Sequence, residues 1–168
     1  MRIRRANLVS YFRNFIFGVE DSLVSTVGLL SGIAMAGVPR ETILLTGAVL
    51  IFVEAFSMAA GSFLSEYSAD EYANGDGAPA GGSAVAGTIM FFSYFLSGFV
   101  PLFPYLLWPT AEALRLSVFF SVAALFALGA VSAVVTRVSV VRNGIRMAFV
   151  GGVAIAVGSL AGIFLSGL

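Results

Sequence analysis

SVFFSVAALFALGAVSAVV, residues 117–135, is apolar on every face of whatever regular structure is drawn through it. A strand of a transmembrane barrel would alternate apolar and polar residues over about ten positions, and this run does not alternate. The alternative is a membrane-crossing helix, which needs about 20 apolar residues. Working outward from this run, five segments reach that length, roughly 13–37, 42–65, 84–107, 113–136 and 146–167. The remainder of the 168 residues is too short for a soluble domain of any size. With 59% hydrophobic and 11% charged residues and a mean hydropathy of +1.00, composition agrees. The prediction is an all-α integral membrane protein, one transmembrane domain over residues 1–168.

Arg2, Arg4 and Arg5 before an apolar run, with Ala34-Met35-Ala36 beyond it, superficially resemble a secretory signal and its cleavage site. Glu20 and Asp21 would lie inside the apolar core of such a signal, so the segment reads instead as a retained first helix, with the mature chain starting near Met1. All nine basic residues are arginine. Placing the N-terminus in the cytoplasm puts Arg2, Arg4, Arg5, Arg13, Arg137, Arg142 and Arg146 inside, and Arg40 and Arg115 outside with Glu41 and Glu112, as the positive-inside bias prefers. Five spans then carry the C-terminus to the far side. The arginines cluster at membrane edges and form no basic face, so a nucleic-acid partner is not expected.

The chain has no cysteine and no histidine, which excludes a disulfide framework, thiolate or imidazole metal ligands, and Ser-His or Cys-His nucleophile pairs. It also lacks a phosphate-cradling glycine loop in a strand-turn-helix setting. An enzyme or an ATP-driven pump is therefore unsupported, and transport would draw on a gradient.

Against that apolar background three acids stand out: Glu20, Asp21 and Glu54. A charge at the bilayer centre costs about 2.5–3.5 kcal/mol on insertion scales, so such residues face a bundle interior, a cavity or a cation. In the first helix Asn14, Gly18, Asp21, Ser25, Gly28 and Gly32 recur at steps of four and three, making one small, polar, acidic face. Small residues alone would explain close helix approach, but they do not explain Asp21. Glu20 lies about 100 degrees further round and is open to snorkelling, pairing with Arg13, or lining a dimer seam. The second helix has a seam of Gly47, Ile51, Glu54, Met58, Gly61 and Ser65, which stacks Met58 one turn from Glu54. At 1.5 Å per residue, Asp21 is about 12 Å in from Arg13 and Met58 about 12 Å in from Glu66, so the two are expected to face each other with Glu54 a turn deeper. Carboxylate and thioether without imidazole suit a borderline divalent ion such as Fe(II) or Mn(II). The candidate metal residues are thus Asp21, Glu54, Met58 and, less directly, Glu20.

Residues 68–83, SADEYANGDGAPAGGS, read as an acidic cytoplasmic loop. Glu66, Asp70, Glu71 and Asp76 are its candidate entrance acids, with a merely solvated loop as the plainer reading. Pro101 and Pro104 predict a kinked or broken end to the third helix, either exposing carbonyls to an ion or closing the helix near the outer surface beside Tyr105 and Trp108 as interfacial aromatics. Gly158 and Gly162 form a small-xxx-small pair for close packing, within the protomer or across a dimer.

RNFIFGVEDSLVSTVGLLSGIA at 13–34, EAFSMAAGSFLSEYS at 54–68, GFVPLFPYLL at 98–107 and RNGIRMAFVGGVAIAVGSLAG at 142–162 together resemble the vacuolar iron transporter family, in order and spacing. The resemblance implies a five-helix homodimer that moves ferrous iron, often manganese, out of the cytosol in exchange for protons. It has no permanently bound cofactor, and its partners are lipid, metal ions and protons. It matches Asp21 to the aspartate of the family's first-helix motif and Met58 to the methionine of its second-helix motif, both associated with the metal pathway. This chain departs from the pattern at Leu50, where better-studied members carry an acid eight residues before the methionine and where Glu54 stands one turn nearer. It departs again at Asn14, where they have an acid, and at Glu20, where the usual residue is uncharged. It also has a short linker where many members insert a glutamate-rich metal-binding domain. The seams of two protomers meeting at a two-fold axis would double the ligand count, and carboxylates in a low-dielectric site can trade metal for protons. The short, domain-free chain suggests a prokaryotic plasma membrane. A membrane scaffold whose acids pair with arginines, and a passive cation channel, are the competing readings.

Overall fold

The computed structural model describes residues 2–75, 77 and 79–167. They form six helices and, among the described residues, no strand: α1 Arg2–Met35, α2 Arg40–Asn74, α3 Gly81–Leu102, α4 Pro104–Leu107, α5 Thr110–Thr136 and α6 Val140–Ser166. Five are long and apolar enough to cross a membrane, α1 over Asn7–Met35 and α2, α3, α5 and α6 throughout; α4 is a single turn. The all-helical, five-span fold is the one the apolar runs predict.

The turns follow local chemistry. Gly37, with φ of 75°, takes the left-handed conformation that ends α1. Two residues later the Pro39 carbonyl accepts from Thr42 and Ile43 at 3.0 and 3.1 Å to open α2. Pro109 opens α5 in the same way, its carbonyl accepting from Glu112 and Ala113 at 3.0 and 2.8 Å. A proline before the first turn sacrifices a donor that the helix would leave unpaired anyway.

α1 is the axis of the bundle, with α3 and α6 packed along it and α5 and α2 touching it over shorter stretches. At the end of the bundle holding the α1–α2 turn, Leu30, Ile43, Ile51, Leu102, Tyr105 and Ala113 form a closed apolar core. The outward surfaces of α2 and α6 are exposed and apolar, including Phe52, Phe56, Phe149 and Phe164, as surfaces facing lipid are.

Two expectations are corrected here. The acidic stretch expected as a loop over 68–83 is helical as far as Asn74. At 1.5 Å per residue a helix of 35 residues spans about 52 Å, well beyond a hydrocarbon core of about 30 Å, so its polar tail runs on outside the apolar layer. Gly75 and Gly77, with φ of 85° and 87°, are the residues that actually end it. Asp76 lies outside the described residues. The second correction concerns Tyr105, expected among interfacial aromatics: it is fully buried in the apolar core, while Trp108 packs against that core's edge.

The proline-broken end of α3 is present: Pro101 sits in its last turn and Pro104 starts α4. Three carbonyls of this α3–α4 corner are taken by protein donors. Ser117 donates to the Pro101 carbonyl at 2.7 Å, and Arg40 donates to the Tyr105 and Leu106 carbonyls at 2.7 and 2.8 Å. Those three carbonyls are therefore not open to an ion.

Candidate functional site

The small polar face of α1 does not meet one partner; its neighbours cross it, so successive residues meet different helices. Near its start, Asn14 accepts from the Ser62 hydroxyl of α2 at 2.8 Å. A turn later Gly18 lies against α3, where a Cβ would stand 3.1 Å from the Met90 sulfur and run into the Ser93 hydroxyl. Ser22 and Ser25 then bond α3: Ser22 donates to the Tyr94 carbonyl at 2.7 Å, and the Ser25 and Tyr94 hydroxyls are 2.8 Å apart. Farther along, Gly28 and Gly32 lie against the backbone of Ala154 and Gly158 on α6. Gly162 packs on Gly32 likewise, so the small-xxx-small pair of the last helix is used within the protomer, against α1.

The expected seam of α2 also changes. Burial runs through Ile43, Gly47, Ile51 and Ala55, a strict four-residue stripe that leaves Glu54 and Met58 on its flank, each half-buried. Gly61 and Ser65 are exposed.

The bonds from Ser10 to Glu66 and from Ser62 to Asn14 set the antiparallel register of α1 and α2. That register levels Gly18 with Met58 and Ser22 with Glu54. Asp21 therefore faces Glu54 rather than Met58, correcting the expected pairing by about one turn. The Asp21 and Glu54 carboxylates lie within electrostatic reach of each other and of the Tyr94 hydroxyl. Glu20 is half-buried on the adjoining side of α1.

Tyr94 and Ser22 were absent from the candidates read in the sequence. Tyr94 is fully buried, and its phenol is held by Ser25, one turn beyond Asp21 on α1. A buried hydroxyl normally finds a partner; Ser25 supplies it here, and the Tyr94 backbone carbonyl is tied to Ser22.

The entrance acids separate into two environments. Glu66 accepts from Ser10, the Arg13 guanidinium and, at 3.5 Å, the Asn14 amide. Asp70 accepts from Ser83 at the start of α3 at 3.4 Å, and Glu71 stands a residue further along the tail of α2. Arg13 thus pairs with Glu66 and not with Glu20. Among the described residues no arginine pairs with Glu20, Asp21 or Glu54, and none of the described acids form a metal-holding group of three or more.

Five membrane-length helices with carboxylates set inside them define a polytopic membrane protein built around polar groups in its interior. The VIT family model matches residues 12–80 and 75–163, nearly the whole chain, and the chain belongs to that family. Its members are membrane transporters of metal ions rather than enzymes. No curated protein matches the chain.

Proposed function

We propose that this protein exports a divalent metal, ferrous iron or manganese, from the cytosol in exchange for protons, working as a homodimer in a prokaryotic plasma membrane with its N-terminus in the cytoplasm. The observation that carries the reading is the approach of Asp21 and Glu54 across α1 and α2 inside an apolar bundle. Two carboxylates that repel each other are unfavourable alone and favourable around a divalent cation, which is how a site binds metal and, emptied, takes up protons. The metal is cargo, and no resident cofactor enters the scheme. Ser57 and Gly61, three and seven residues on from Glu54 and on its side of α2, are exposed, which supports a dimer in which a second protomer adds its own carboxylates.

The two matched segments of the chain meet at residues 75–80, where the resemblance places a metal-binding insertion in other members. Transport in this protein then relies on the membrane helices alone. A scaffold held together by acid–arginine pairs is less well supported, because the described ion pair joins Arg13 to Glu66 and leaves the interior acids out.

The test is Fe(II) and Mn(II) uptake into proteoliposomes. D21N is expected to fold as the wild type does, by melting and gel filtration, and to lose at least about tenfold in flux, the scale seen even for the partner of a metal ligand. Wild-type flux in folded D21N would sink the assignment of Asp21.

A further inference from the structure

The bundle end near Arg13 holds a cleft of about 690 Å³ between α1, α2 and α3, largely apolar in surface, with Asn14, Met58, Ser62, Glu66 and Met90 among its lining and Arg13 at its edge. The register that levels Asp21 with Glu54 delivers Met58 to this cleft, one turn away from the carboxylate pair. Met90, from α3, is almost completely buried at 2% exposure, and the missing Cβ of Gly18 leaves room for its sulfur. Two thioethers from two different helices therefore line the same recess as a carboxylate, an amide and hydroxyls. Hard cations such as Mg(II) or Ca(II) prefer oxygen alone, whereas thioether beside oxygen donors favours a softer transition-metal ion.

Glu66 is already arranged to hold a cation. Ser10, Arg13 and Asn14 all converge on its Oε1, and no described hydrogen bond reaches Oε2. The carboxylate is set into the cleft wall at 21% exposure, while the guanidinium reaches it from outside at 69%. An ion pair that exposed is weak and readily exchanged.

We propose that this cleft is a second cation site, in which Arg13 holds the place of the metal. An arriving divalent transition-metal ion displaces the guanidinium from Glu66, is held there by Glu66 and the Asn14 amide oxygen, and then passes the Met58 and Met90 sulfurs, about two turns deeper along α2, before it moves on to Asp21 and Glu54. The onward step rests on the transport reading above; the cleft itself does not.

The experiment is Mn(II) uptake as a function of concentration in proteoliposomes of the full chain, alongside equilibrium Mn(II) binding to the detergent-purified protein, with melting curves for every variant. R13Q removes the competitor and lowers the half-saturating Mn(II) concentration up to about fivefold, the ceiling set by an exposed ion pair; R13K falls between R13Q and wild type. E66Q raises that concentration about tenfold. A half-saturation that is unchanged or raised in folded R13Q overturns the proposal, because the pair is then a clasp and not a competitor. Absence of flux in the wild type overturns the transport reading alone. The cleft is then decided by binding: weaker Mn(II) binding to E66Q and tighter binding to R13Q uphold it, and equal binding in all three overturns it.

Discussion

The Tyr94 hydroxyl, 2.8 Å from that of Ser25, completes a polar centre for which α1 and α2 provide the charges. Y94F removes that hydroxyl without changing the packing of the ring. A hydrogen bond of this kind contributes about 1 kcal/mol net, and double-mutant measurements between membrane helices average about 0.6 kcal/mol. Y94F should therefore lower the stability of the detergent-solubilised protein by roughly that amount in an unfolding titration, and a variant as stable as wild type would mean the contact contributes nothing. At this scale the sequence was informative where a residue was chemically out of place. Asp21 and Glu54 stand out because a carboxylate among apolar residues needs a reason. Tyr94 did not stand out, because next to Phe91, Phe92 and Phe95 one more aromatic ring reads as packing. Its distinction is the partner on another helix, which no local pattern reveals.

Between elements, the closest approach is that of α1 and α6, where a Cβ on Gly158 would collide with the backbone carbonyl of Gly28. Backbone cannot yield as a flexible side chain can. Overpacking a core costs typically about 1–3 kcal/mol, and G158L is expected at or above the top of that range. Gly152, where a Cβ meets nothing within 4 Å, is the control: replacing it with Ala in a helix interior stabilises by up to about 1 kcal/mol. Equal stabilities of G158L and G152A in the same titration would contradict the packing described. The existence of each helix was legible from length and apolarity, but two features of their arrangement were not. The end of α2 is set by the left-handed Gly75 and Gly77, not by the Ser, Asp and Glu before them, which a helix tolerates. The register of α1 on α2 differs by about a turn from the one that equal backbone depths of Arg13 and Glu66 imply. Those two do meet, but the length of the arginine side chain absorbs about one turn of offset.

For the molecule as a whole, the central claim is that a bundle of five spans with an interior carboxylate pair couples metal movement to protons. A channel with the same helices would pass metal down its own gradient and ignore the proton gradient. Family membership was legible because four motifs keep their order and spacing along the chain; coupling is not, since it depends on what the carboxylates exchange during a cycle. The decisive measurement is Mn(II) uptake into proteoliposomes at a fixed metal gradient, with the pH difference across the membrane set to zero and then to an acidic lumen. Uptake accelerated by the acidic lumen, with protons leaving as metal enters, is the predicted result. Uptake indifferent to the pH difference would contradict the antiport account and leave a passive pathway in its place.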